Sequence, residues 1–180
     1  MHITISGNLG SGKSTVAKLF AERNKYKYFS TGALQRKLAE ELGITTLELN
    51  LLSVNDPKYD KMIDAETAKI YNENKNSNII YDSRMAWHFV PKAVKIFLSV
   101  DINTAAERIY NAGRGNVESY ESVNKARQDL KTRADEEQKR YKKKYNVDIF
   151  DMKNYEFVID TTNLTPDAVC EKIEKLIKIR

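Results

Sequence analysis

The sequence predicts a three-layer α/β fold, a parallel five-stranded sheet with helices on both faces, and three observations predict it. Short apolar segments alternate along the chain with longer stretches of helical periodicity, as strands joined by crossover helices do. Two of those segments, residues 78–81 and 93–100, are nearly continuous in apolar character, as strands covered on both faces are. The 180 residues are enough for one compact core and few for two, so the chain reads as a single domain over residues 1–180.

The elements follow in order. Ile3 to Ser6 alternates apolar with small polar residues and stops at Gly7, and Val16, Ala17, Leu19 and Phe20 then recur at helical spacing from Ser14 to Arg23. Tyr26 to Phe29 is the second strand. A turn at Gly32 starts a helix through Leu34, Leu38 and Leu42, which Gly43 ends as a C-cap. Thr45 with Glu48 makes a capping box, and Asp56-Pro57 places an N-cap acid and a first-turn proline before a helix running to about Asn74. Residues 31–75 therefore form a helical excursion from the sheet. Asn78 to Tyr81 and Ala93 to Val100 are strands three and four. A helix from about Thr104 to Tyr110 leads to Ala112-Gly113-Arg114-Gly115-Asn116, a short lid at about residues 111–117 whose glycines flank an arginine. A long helix from about Val117 to Tyr145, a strand at Phe157 to Ile159 and a helix opened by Thr165-Pro166 complete the chain.

Composition narrows the function. Thirty Lys and Arg against twenty-five Asp and Glu leave a net charge of +5, spread along the chain, which suits polyanions such as nucleotide phosphates or nucleic acid. One cysteine, Cys170, excludes a disulfide framework and a cysteine metal cluster and fits a reducing cytoplasm. Met1-His2-Ile3-Thr4-Ile5 enters a strand without a basic leader, and no apolar run approaches a membrane span, so a soluble, unprocessed, cytoplasmic protein without a membrane partner is expected. The two histidines, His2 and His88, lie far apart, and His88 sits between Trp87 and Phe89, where a packing or rim role is expected rather than catalysis.

The loop Gly7-Asn8-Leu9-Gly10-Ser11-Gly12-Lys13-Ser14, with Thr15 after it, carries the chemistry. Its glycines allow successive backbone N–H groups to converge on phosphate oxygens, and the positive end of the following helix faces the same anion. Lys13 would reach the β- and γ-phosphates of ATP, and the Ser14 hydroxyl would take one Mg²⁺ position. This is a P-loop with its strand before and helix after. Asp82 ends the third strand at the carboxyl edge of the sheet, where open α/β sheets bind ligands, and could hold a Mg²⁺ water. A phosphoryl-transfer enzyme must neutralise a donor triphosphate and an acceptor together, and Arg36, Arg84, Arg108, Arg114, Arg133 and Arg140 are available. Arg133, Glu137 and Arg140 fall at i, i+4 and i+7 and share one helix face, either an anion clamp or a solvated salt-bridged surface. A GTPase is disfavoured, because the chain lacks an Asn/Thr-Lys-x-Asp segment and a glycine three residues after Asp82.

Over nearly its whole length the chain resembles the nucleoside monophosphate kinases, and within them the cytidylate kinases of the short form typical of archaea. Thr31-Gly32-Ala33-Leu34-Gln35-Arg36 is similar to the family's acceptor-binding segment, which implies that Thr31 and Arg36 meet the nucleoside monophosphate. Asp82-Ser83-Arg84, followed by Pro91-Lys92-Ala93-Val94-Lys95-Ile96-Phe97-Leu98, resembles the family's third strand, acceptor arginine and fourth strand; Arg84 is the match. Arg133-Ala134-Asp135-Glu136-Glu137-Gln138-Lys139-Arg140-Tyr141 resembles the helix that grips the CMP phosphate and ribose. Ser83 departs from the usual glycine, and Ala33 from an acid that many short relatives carry. The resemblance implies phosphorylation of CMP or dCMP by ATP with Mg²⁺, with Lys13, Asp82, Arg108 and Arg114 serving the transfer. A P-loop kinase for UMP, AMP or a small metabolite stays open, as does, less favoured, a nucleotide- or RNA-binding regulator without turnover.

Overall fold

The computed structural model describes residues 1–112 and 120–179. Of the expected lid at about residues 111–117, Asn111 and Ala112 are helical, and the rest, Arg114 included, lies outside the described residues. Five strands, β1 (His2–Gly7), β2 (Lys27–Ser30), β3 (Ile79–Asp82), β4 (Val94–Ser99) and β5 (Phe157–Asp160), form one parallel sheet in the order β2-β3-β1-β4-β5. Every residue of β1 is buried, so both of its faces are covered, as the apolar patterning requires. The helices are α1 (Lys13–Asn24), α2 (Thr31–Glu41), α3 (Thr46–Asn55), α4 (Lys58–Glu73), α5 (Ala86–Phe89), α6 (Ile102–Ala112), α7 (Val123–Tyr145) and α8 (Pro166–Ile179). The residues divide into two compact units, Met1–Ser6 with Ala17–Lys95 and Gly7–Val16 with Ile96–Arg180.

In the first unit, β3 pairs with β1 from His2↔Ile79 to Ile5↔Asp82 and with β2 from Lys27↔Ile79 to Ser30↔Asp82. Ile79, Tyr81, Ala86, Val90 and Ala93 form its core, with Phe29, Ile70 and Tyr71 packed against it. His2 sits edge-on to Tyr71, and its Nδ1 lies 3.0 Å from the Tyr81 hydroxyl. Burial pushes the His2 imidazole below its ordinary pKa, which fits a packed histidine. His88 is exposed and stands edge-on to Phe89 at 5.0 Å between ring centres.

Local sequence sets the helix ends here. Ser30 caps α2 by accepting the Ala33 N–H, and Gly43, at φ +68°, closes it. The N–H groups of Gly43 and Ile44 reach the Glu40 and Ala39 carbonyls, a Schellman ending. Thr45 and Glu48 exchange both hydrogen bonds of the capping box, which pulls the Glu48 carboxyl below its ordinary pKa. The expectation at Asp56-Pro57 is off by one residue. Pro57 occupies the N-cap of α4, and Asp56, one position earlier, still accepts the Lys58 N–H at 2.9 Å.

In the second unit, β4 and β5 pair in parallel from Ile96↔Phe157 to Ser99↔Asp160. Ala105, Ala106, Ile109, Ala126 and Leu130 form a core between α6 and α7, with Leu9, Val100, Ile102, Tyr120 and Val123 against it. The long helix does not begin near Val117. It begins at Val123, because the Ser122 hydroxyl accepts the Lys125 N–H and satisfies a first-turn donor there. It ends at Tyr145, where Asn146 takes φ +55°. No helix among the described residues is long and apolar enough to cross a membrane.

Candidate active site

The second unit holds the glycine loop between the end of β1 and the start of α1. Gly7 turns the chain at φ +151°, beside the backbone of Leu98, and Gly10 and Gly12 take φ +78° and +82°. The Asn8 N–H donates to the Leu98 carbonyl at 3.0 Å, and the Asn8 side chain accepts the Val100 N–H, so Asn8 fastens the loop to β4 on both sides. The Ser11 hydroxyl and N–H both return to the Asn8 carbonyl, closing the turn.

The loop walls a cavity of about 350 Å³. Leu9 to Val16 line it on one side, Arg108, Ile109 and Ala112 of α6 and Arg133 of α7 on another, and Thr161, Leu164, Pro166 and Val169 close the rest. Lys13 is half-buried in this wall, and Ser14 and Thr15, in the first turn of α1, are exposed. The helix presents its N-terminal amides and the positive end of its dipole there, which favours an anion. One end of the cavity is therefore polar and cationic. Leu164, Pro166 and Val169 make an apolar wall suited to a planar base.

Two arginines reach this cavity in arrangements that spacing did not show. Arg108 donates to the carbonyls of Thr161, at 2.7 Å, and Thr162, at 3.1 Å, and to the Thr161 hydroxyl. Arg133 lies 3.8 Å from the Asp129 carboxylate one turn earlier, and that carboxylate accepts the Tyr120 hydroxyl at 2.6 Å. Burial raises the Tyr120 phenol above its ordinary pKa, and the Asp129 bond adds to it. Glu137 and Arg140 are half-buried on the same helix. The Arg140 guanidinium stands 4.9 Å from the centre of the Tyr141 ring.

The first unit holds half of the expected acceptor residues, Thr31, Arg36 and Arg84, together with Asp82. Asp82 is buried at the carboxyl end of β3 and accepts the Tyr28 hydroxyl at 2.9 Å. Tyr28 and Ser30 point to one side of β2, and the register sets Ser30 opposite Asp82, so Tyr28 reaches the carboxylate diagonally. The Tyr28 phenol is pushed up to about 12, first by burial and then by the Asp82 charge, with the Ser30 hydrogen bond and the Arg36 charge acting the other way. Thr31 opens α2, and Arg36, one turn beyond Gly32, carries its guanidinium back over that glycine. Arg84 follows Ser83, whose hydroxyl accepts the N–H groups of Met85 and Ala86. Serine at this position thus caps the turn into α5. The Ser6 hydroxyl donates to the Ser83 and Arg84 carbonyls and fixes this backbone against β1.

Tyr28, Asp129, Tyr120 and Thr161 are the residues that sequence reading passed over. Only Tyr28 carried a signal, two residues before the Ser30 cap on the same strand face, and using it needed the β2–β3 register. Among the described residues no three His, Cys, Asp or Glu side chains group as a metal centre. The donors that fit a hard cation are the exposed Ser14 hydroxyl beside the loop and, in the first unit, the Asp82 carboxylate.

The model of the cytidylate kinase-like family matches residues 2–163. A protein named cytidylate kinase from Ignicoccus hospitalis is 33% identical over 177 residues, covering 97% of this chain and 98% of the relative. One of the same name from Natronomonas pharaonis is 37% identical over 179 residues, covering 98% and 89%. Among solved structures, a shikimate kinase from Bacteroides thetaiotaomicron aligns over 99% of this chain and 98% of its own with a TM-score of 0.68 and 12% identity. That likeness shows the fold alone.

Proposed function

Because this chain belongs to the cytidylate kinase-like family, we propose that it transfers the γ-phosphoryl group of ATP to CMP or dCMP, yielding ADP and CDP or dCDP. The observation that carries the reading is the cavity of the second unit, which is lined by Leu9 to Thr15 of the loop and the start of α1, Lys13 among them, and by the apolar Leu164, Pro166 and Val169. That combination fits a nucleoside triphosphate, with phosphates at the loop and base at the wall.

The chain's part in the chemistry is positioning and charge neutralisation, since phosphoryl transfer asks for little covalent help from the protein. The loop amides and Lys13 hold the β- and γ-phosphates, and Arg133, which lines the same cavity, meets charge on the γ-phosphoryl. Thr31, Arg36 and Arg84 of the first unit bind the acceptor; a ribose and phosphate role for Glu137 and Arg140 of α7 rests on the family resemblance of that helix. Mg²⁺ bound with the nucleotide would supply further neutralisation of phosphate charge; Ser14 would hold it in the second unit, and in the first unit Asp82 is the carboxylate suited to a water of such a cation. Asp82 arrives already oriented, because Tyr28 fixes one of its oxygens.

The test is release of ADP by the purified chain with Mg²⁺ and CMP, dCMP, UMP, AMP and shikimate offered separately. Preference for CMP or dCMP is expected. Preference for UMP, AMP or shikimate would move the acceptor assignment, and salt-sensitive RNA retention without ADP release would replace the enzyme by a regulator.

A further inference from the structure

We infer that Thr161 is a positioning residue of the phosphate cradle, its buried hydroxyl turning the Gly12 amide toward the nucleotide phosphates. The inference rests on the reading of the glycine loop as the ATP site. Thr161 follows β5, 150 residues from the loop, and is 2% exposed. Its Oγ1 lies 3.1 Å from the Ser11 carbonyl oxygen and 3.0 Å from that of Ser99. The Ser99 oxygen already receives the Thr161 N–H at 2.9 Å, and Arg108 donates a hydrogen to the hydroxyl oxygen. The hydroxyl proton has the Ser11 and Ser99 carbonyls as its acceptors, and because the Ser99 oxygen already holds the Thr161 N–H the bond to Ser11 is the one that the Arg108 charge strengthens most.

The consequence lies in the next peptide unit. No peptide bond among the described residues is cis, so the Gly12 N–H points away from the Ser11 carbonyl across the same plane. With that carbonyl anchored on Thr161, the amide is directed to the opposite side, where Gly12 lines the cavity. Gly12 cannot hold this orientation itself. It sits at φ +82° with nothing within 4 Å of where a Cβ would be, and a glycine peptide with open space beside it can rotate at little cost. The orientation has to come from the carbonyl side, and Thr161 supplies it. Arg108 thus acts on the phosphates through Thr161 and the loop backbone.

The experiment measures ADP affinity and the Gly12 amide resonance in the full chain, both well below the melting temperature. Thr161→Val keeps the shape and removes the hydroxyl; its Kd for ADP should rise about tenfold, the loss of one charge-assisted hydrogen bond. Thr161→Ser keeps the hydroxyl and removes a buried methyl group, so it should melt earlier than wild type and hold ADP within about twofold. In the wild-type chain the Gly12 amide proton should move far downfield when ADP binds, a readout that needs no variant to fold. An unmoved Gly12 resonance in the ADP complex would overturn the inference, as would Thr161→Val binding ADP as wild type does, or Thr161→Ser losing as much affinity as Thr161→Val. A wild-type chain that does not bind ADP at all would overturn the reading of the loop beneath it.

Discussion

Gly7→Ala and Gly12→Ala add the same methyl group to the same loop, and their environments give them different costs. At Gly12 the added Cβ meets nothing within 4 Å, so the penalty is that of a left-handed backbone at φ +82°, about 1–2 kcal/mol. At Gly7 the backbone sits at φ +151°, and the Cβ would lie 2.2 Å from the Leu98 carbonyl oxygen and 2.9 Å from the Leu98 nitrogen. Those are main-chain atoms of β4 and cannot swing aside. The displacement also strains the bond from Asn8 N–H to that carbonyl, 3.0 Å long. Backbone strain of about 1–3 kcal/mol, overpacking of about 1–3 kcal/mol and a weakened hydrogen bond of about 1 kcal/mol give roughly 3–7 kcal/mol. A domain of this size has about 5–15 kcal/mol in total. Urea unfolding followed by circular dichroism should show the unfolding free energy of Gly7→Ala falling by at least about 1 kcal/mol more than that of Gly12→Ala, with a correspondingly lower midpoint at equal slope. Equal midpoints for the two variants would refute the claim that β4 packs directly on the turn into the loop.

Lys13→Ala should keep its melting temperature and lose phosphoryl transfer by about two orders of magnitude or more, in a coupled ADP-release assay, since the ammonium meets charge between the β- and γ-phosphates. Arg133→Lys and Arg140→Lys should change stability by no more than about 0.5 kcal/mol, because Lys is as good a helix former as Arg. Activity separates them: Arg133→Lys should lower kcat, and Arg140→Lys should raise the KM for CMP, because lysine lacks the planar fork. Unaltered kinetics in both would leave that helix face as solvated scaffold. For Tyr28 the folded phenol stands at about 12 against about 10 for an unperturbed one. A raised acid stabilises the folded state below the unfolded pKa and loses that contribution as pH rises through the folded value. Between pH 10 and 12 the wild-type chain should therefore lose stability more steeply than Tyr28→Phe, and parallel curves from pH-dependent urea melts would remove Tyr28 from the ionising set.

Features settled within a few residues of chain could be read directly from the order of the amino acids. The glycine loop, the Thr45–Glu48 capping box and the closing turn at Gly43 were legible because their partners lie three to five positions away, where backbone geometry alone brings them together. Strands β3 and β4 were legible because burial on both faces writes a nearly continuous apolar run. The start of α7 was misplaced because the helical pattern reaches upstream of Val123, and one hydroxyl, that of Ser122, sets the boundary. Tertiary structure alone decided which polar groups serve which others. Tyr28 reaches Asp82 across 54 residues through the strand register, and Thr161 reaches Ser11 across 150. Arg133 shares a helix face with Glu137 and Arg140 by spacing, yet its place on the cavity wall follows from how α7 packs against α6. The physical reason is that a hydrogen bond depends on position to within a few tenths of an ångström. Periodicity fixes only the side of a helix or strand on which a residue stands, and the partner across the gap is supplied by chain far away in sequence.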